Sequence, residues 1–198
     1  MTEHGGSTGC RKFDHLIAVT SRHLCQRPFS EQLERICRHR PKAVILREKD
    51  LTEDDYLFFA KDALAICREH GVRCVLHTFT KAALQLEHPY LHLPLAALQK
   101  EGGKPDGIKI LGSSIHSVSE AQEAERLGAD YLTAGHIYAT DCKAGVPPRG
   151  LDFLEEVCRS VQIPVYGIGG VKIGSGQLDE MMARGAAGAC VMSGMMRL

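Results

Sequence analysis

Three stretches of this chain follow one pattern: "CREHGVRCVLH", "AERLGADYLTAG" and "MARGAAGACVMSG". Each reads as a helix end, a glycine and a short apolar strand. A glycine at that join adopts left-handed backbone cheaply, so it stops the helix and turns the chain towards a sheet. Gly71, Gly128 and Gly185 are spaced 57 residues apart. That leaves room for two βα units, since one crossover unit takes roughly 30 residues. Repeating this join commits a chain to helices alternating with parallel strands.

Eight strand-like runs fit the pattern, over 15–20, 43–48, 73–78, 90–94, 107–113, 129–135, 163–169 and 188–194. They are apolar at consecutive positions, as parallel strands buried on both faces are. Helical stretches fit between most of them. One opens at Thr52 ahead of Glu53, Asp54 and Asp55, and another at Ser117 with Glu120 in the spacing of a capping box. The connection over 95–106 is broken by Gly102, Gly103 and Pro105, which makes its helix marginal. Eight alternations predict an α/β protein with a (β/α)8 TIM barrel as one domain over 13–198, after a flexible polar tail over 1–12. A doubly wound open sheet is the alternative. Seven residues follow Val191, so the final helix is expected to be short or missing. The apolar surface this would expose implies a homo-oligomer, a dimer or larger.

Composition removes several function classes. Lysine plus arginine equal aspartate plus glutamate at 24 each, so no basic field points to nucleic acid or an anionic membrane. No apolar run reaches the roughly 20 residues of a membrane span, and the first residues lack the apolar centre of a signal peptide. The eight cysteines form no CxxC pair. Scattered buried thiols are the expectation, which places the protein in a reducing cytoplasm.

In a barrel of this type, chemistry collects where strands end. The second strand ends in Arg47, Glu48 and Lys49, and the third in His77 and Thr78. The fifth leads into Ser113, Ser114 and His116, and the sixth into "GHIYATDCKAG" (135–145). The seventh ends in "GIGG", with Gly169 and Gly170, and the eighth in Ser193 and Gly194. Glycines at the last two exits let backbone N–H groups approach an anion, which predicts a phosphate cup. Arg47, Lys49 and Lys143 are candidates for a second anionic group. His77, His116 and His136 raise the possibility of zinc, but they are isolated from one another, with no HExxH or HxH, so no metal is expected. His116, preceding the Ser117 cap, reads as structural, and Cys142 as a loop thiol.

"GADYLTAGHIYATDCKAG" with "RGLDFL", then "IPVYGIGG" and "GACVMSG", resembles the thiamin phosphate synthase superfamily of TIM barrels. Within it the chain looks most like the thiazole tautomerase (TenI-like) branch. "REK" and "GSSIHSVSEAQEAERLGADY" match as well, so the resemblance runs over roughly 13–196 and is strongest from 107 onward. The synthase branch usually has proline where His136 stands. It also holds magnesium through aspartates after strands three and four, at positions matching Thr78 and Ala97 here. Without those carboxylates a divalent cation has poor oxygen ligation. His77 departs from the tautomerase pattern, where asparagine is usual.

The resemblance implies a small-molecule thiazole phosphate substrate: a carboxylated dihydrothiazole with an exocyclic double bond and a phosphoethyl arm. Tautomerisation moves a proton from ring C2 to the exocyclic carbon and aromatises the ring. An imidazole suits that transfer near neutral pH. His136 is the expected proton shuttle. Arg47, Lys49, His77, Ser113, Thr140, Asp141 and Lys143 are the expected substrate contacts, with no metal or redox cofactor. The alternatives are thiamin phosphate synthase, joining a pyrimidine pyrophosphate to a thiazole phosphate, and a non-catalytic thiazole-phosphate-binding regulator.

Overall fold

Eight parallel strands close into a barrel in chain order. They are β1 (Leu16–Val19), β2 (Ala43–Leu46), β3 (Cys74–His77), β4 (Tyr90–Pro94), β5 (Ile110–Ile115), β6 (Tyr131–Gly135), β7 (Val165–Ile168) and β8 (Gly188–Val191). Seven α-helices lie between them among the described residues: α1 (Phe29–Arg38), α2 (Glu53–Glu69), α3 (Thr80–Gln85), α4 (Leu95–Glu101), α5 (Val118–Arg126), α6 (Gly150–Ser160) and α7 (Gln177–Ala183). The structure, a computed structural model, describes residues 13–140, 143 and 145–198. The expected tail over 1–12, Asp141 and Cys142 lie outside the described residues. No described helix is long and apolar enough to cross a membrane.

The repeated joins form as the residues require. Gly71, Gly128 and Gly185 all adopt positive φ (66°, 90° and 92°), directly after α2, α5 and α7. Thr52 accepts from the Asp55 amide at 3.2 Å, and Ser117 from the Glu120 amide at 3.1 Å. Glu120 bonds back to the His116 amide at 2.6 Å instead of the Ser117 amide, one residue further out than a standard capping box. The strand boundaries agree with the sequence to within two residues except at β5, which starts at Ile110 and not at 107, and at β8, which ends at Val191 and not at 194. Pro105 and Gly107, with φ 88° at the glycine, hold that entry in a turn.

Period-two alternation sorts each strand between two cores. Leu16, Ala18, Val44, Leu46, Leu76, Leu91, Leu93, Leu111, Ile115, Leu132 and Ala134 face the helices. Ile17, Val19, Ala43, Ile45, Val75, Tyr131, Tyr166 and Cys190 fill the lumen. Burying one such aliphatic side chain contributes roughly 1.5–3 kcal/mol, so register is strongly specified.

The gap left by the missing eighth helix is not bare. A 3-10 turn, Met195–Arg197, buries Met195 and Met196 completely. Gln32 of α1 donates to the Met195 carbonyl at 2.7 Å, and Arg27 donates to the Leu198 carbonyl at 2.7 Å. The expectation of exposed apolar surface on this side is therefore corrected. Two flexible methionines fill the space a helix would have covered. The exposed large apolar residues among those described are Phe58, Leu84 and Val146, none of them in this turn.

Candidate active site

The exits of β1 and β2 are clamped together by one buried carboxylate. Glu48 accepts from Thr20 Oγ1 at 2.7 Å, from the Arg22 amide at 3.0–3.1 Å and from Arg22 Nη1 at 3.2 Å. Arg22 also donates to Asp50, one bond measuring 2.7 Å. That cation, through hydrogen bonds foremost, holds the Asp50 carboxyl well below its usual range. Glu48 has the helix-facing parity of Val44 and Leu46, so it holds the rim together and leaves the mouth to its neighbours. Arg47 has the lumen parity of Ala43 and Ile45 and is half-buried. Lys49 lies beside it, its ammonium pushed down by desolvation and by Arg47.

At the next exit His77 is almost completely buried in the lumen, in register with His92 on β4. The two imidazoles stack with centroids 5.3 Å apart and planes 18° from parallel. His92 bonds to the Tyr131 hydroxyl at 3.0 Å and the Ser114 hydroxyl at 2.8 Å, and Thr133 donates to Ser114 at 3.1 Å. His77 Nδ1 meets Thr78 Oγ1 at 2.6 Å. Burial first, then His92, Lys49 and Arg47, push the His77 imidazolium well below its ordinary value. Burial, and then Lys49, push His92 down to about 3. Both rings are neutral at pH 7.

The chain leaves β3 through a strained turn. Thr78, β-branched, takes φ 73°, while the Phe79 amide bonds back to the His77 carbonyl at 2.9 Å. Such a position costs on the order of 1–3 kcal/mol and persists only where the surroundings enforce it. The Tyr56 hydroxyl donates to the Leu46 carbonyl at 2.6 Å and accepts from the His77 amide at 2.9 Å, fixing the end of β3 from the helix side.

His136, directly after β6, is 4% exposed. Its Nε2 lies 3.2 Å from the Val146 carbonyl. A carbonyl only accepts, so Nε2 carries a proton there, and Nδ1 has no hydrogen-bond partner among the described residues. The chain at His136 packs against the exit of β7: a Cβ on Gly169 would stand 2.3 Å from His136 Cβ, and one on Gly170 2.4 Å from the Ala139 carbonyl oxygen. Both glycines also take positive φ, 99° and 71°. "GIGG" is therefore glycine because two loops press together here.

β7 and β8 pair through Ile168 and Cys190, so their exits are neighbours, and Gly194 sits against Ile173 of the loop after β7. Among the described residues, the amides of Gly169, Gly170, Ser193 and Gly194 meet no backbone or side-chain acceptor. Lys143 and Arg149 are exposed on the β6 loop, close enough to His116 to depress its imidazolium further, after burial. Thr140 is half-buried and its carbonyl accepts from the Lys143 amide at 3.0 Å. Asp141 lies outside the described residues.

Ser113 requires correction. It pairs in register with Leu93 and Leu132, both in the helix-facing core. Its hydroxyl is sealed there without a partner, where the sequence reading places it in the substrate pocket. The lumen position is Ser114, next to Thr133 in the ladder. Alternation counted from Leu111 and Ile115 carries that signal in the sequence. His92, Tyr131 and Thr133 went unnoticed in the same way, since each sits inside an apolar run. A recess of about 380 Å³ lies at the opposite end of the lumen, among strand starts, lined by Lys42, Arg73, Tyr131 and Tyr166 among others.

Fold and mouth together define a (β/α)8 barrel whose C-terminal rim carries cations, buried imidazoles and free amides. The family described as thiamine monophosphate synthase matches residues 16–195, and the chain belongs to it. It is 34% identical to thiamine-phosphate synthase 2 of Streptococcus pneumoniae, over 92% of this chain and 87% of that one. It is also 34% identical to the thiamine-phosphate synthase of Syntrophomonas wolfei, over 91% and 88%. Among solved structures, thiamine phosphate pyrophosphorylase from Pyrococcus furiosus superposes with a TM-score of 0.76 at 27% identity, covering 93% of this chain and 88% of that one.

Proposed function

We propose that this protein is a thiazole tautomerase of thiamin biosynthesis. It would aromatise a carboxylated dihydrothiazole ethyl phosphate by a histidine-mediated proton shift. The observation that carries the proposal is His136: buried at a strand exit, with Nε2 tied to Val146, Nδ1 without a partner among the described residues, and its Cβ pressed against Gly169. The free amides of Gly169, Gly170, Ser193 and Gly194 would hold the phosphate. Arg47, Lys49 and Lys143 would face the ring carboxylate as charge delocalises into it, with Thr140 and Asp141 shaping the loop beside the ring.

A second proposal, thiamin phosphate synthase, is favoured by the names of the relatives. Synthase chemistry in this family is expected to hold magnesium on carboxylates, and the residues here do not fit that ion. Thr78 is bonded to His77, and Ala97 packs in α4 against the helix-side core. The nearby carboxylates, Glu48 and Asp50, are bonded to Arg22. Among the described residues no three histidine, cysteine or acidic side chains gather as a metal set.

Supplying the purified protein with each substrate set separates the two. The expected outcome is accelerated aromatisation of the dihydrothiazole in EDTA, and no thiamin phosphate from pyrimidine pyrophosphate, thiazole phosphate and magnesium. Formation of thiamin phosphate at enzymatic rates would replace the tautomerase proposal with the synthase.

A further inference from the structure

The lumen holds a second imidazole with no assigned role in a proton shift. His77 ends β3 and His136 follows β6, three strands apart in a closed ring of eight, so the two strand exits stand across the ring from each other. His77 Nε2 has no hydrogen-bond partner among the described residues. The rest of the ring is held rigidly: Nδ1 by Thr78, one face by His92, and His92 in turn by Tyr131 and Ser114. A residue this constrained, with one nitrogen unpartnered among the described residues and strained backbone just beyond it, is built to present that nitrogen.

We infer that His77 is a second catalytic residue, taking the ring C2 proton while His136 delivers one to the exocyclic carbon from the other side. This rests on the tautomerase proposal. The C2–H bond breaks and its proton goes to His77 Nε2. The released pair forms C2=N, the C=N pair shifts to the ring C4=C5 bond, and the exocyclic π pair takes the proton from Nδ1 of protonated His136. One turnover leaves the two imidazoles with exchanged protonation, and solvent resets them.

The titratable and charged groups facing His77 are Arg47 and Lys49 after β2, His92 on β4 and the Tyr56 hydroxyl of α2. Burial first, then His92, Lys49 and Arg47, disfavour its protonated form. The acid limb of the rate profile therefore lies below the ordinary imidazole value, about 6.5.

The test is the pH profile of kcat for wild type, His77→Asn, His77→Gln and His136→Asn, with product affinity as the measure of an intact mouth. Asparagine keeps a partner for Thr78 and removes Nε2, whereas glutamine keeps a polar group near Nε2 that cannot titrate. Both His77 variants should lose about 10²–10⁴-fold in kcat, the usual contribution of acid–base catalysis, and lose the acid limb. KM and product affinity should change less than about threefold, far below that catalytic effect. In D2O the wild-type product should carry solvent deuterium at the exocyclic carbon. A kcat within threefold of wild type in either His77 variant, or an unchanged acid limb, overturns the proposal. Carry-over of the C2 hydrogen to the exocyclic carbon would do the same without any variant. Loss of activity in His136→Asn alone leaves the tautomerase standing with one base, whereas no acceleration by wild type removes both.

Discussion

At the scale of single residues, the mouth shows how a one-position step on a strand changes what a side chain can do. Ser113 and Ser114 are adjacent, yet one hydroxyl is sealed unpartnered among leucines while the other bonds to His92. An unsatisfied buried hydroxyl costs roughly 1–3 kcal/mol, so Ser113→Ala should leave the melting temperature unchanged or raise it, with full activity. Ser114→Ala should lower it, because His92 Nε2 loses its close partner. Thermal melts of the two variants check this, and a marked loss of stability in Ser113→Ala would mean that its hydroxyl is bonded. The pair also shows where residue-level legibility ends. "GSSIHS" announces a polar strand exit, but only the ladder register with Leu93 and Leu132 decides which serine looks inward.

At the scale of elements, glycines do two different jobs. Gly71 ends α2 with open space where a Cβ would go, so Gly71→Ala carries only the strain of φ 66° and should cost about 1 kcal/mol. A methyl on Gly169 would run into His136 Cβ at 2.3 Å, so Gly169→Ala must move the β6 exit. Its expected signature is a fall in kcat of tenfold or more, beyond what a comparable loss of stability produces in Gly71→Ala. Equal activity in the two variants would show that the contact between the β6 and β7 loops does not position His136. The repeated helix–glycine–strand join made the barrel legible, because each join specifies a local conformation and the direction of the next strand. The clamp of Glu48 on Arg22 and the stack of His77 on His92 were not legible. Both depend on which strands become neighbours, and closure of the ring sets that.

At the scale of the whole molecule, a polar array runs through the centre of an otherwise apolar barrel, and stability should report it. His77 and His92 have depressed values when folded, so the unfolded chain binds more protons than the native one once pH falls below about 6.5. Stability is then fully present above that pH and is lost on the way down towards about 3 for His92. Each such group contributes a slope of up to about 1.4 kcal/mol per pH unit. Urea unfolding between pH 6.5 and 5, above most carboxylate titration, should show the decline, and His92→Asn should make it shallower. A flat profile would mean that these rings are solvated. The Met195–Met196 plug bears on the same scale. Sequence alone predicts a bare flank there, but the fold covers that flank with its own last turn.

The central claim is that His136 moves a proton, and the rate of thiazole aromatisation tests it most directly. With buffer-only turnover subtracted, wild type should accelerate the reaction in EDTA, and His136→Asn should lose about 10²–10⁴-fold of that acceleration while still binding the aromatic product. A His136→Asn protein that turns over at the wild-type rate would contradict the claim outright.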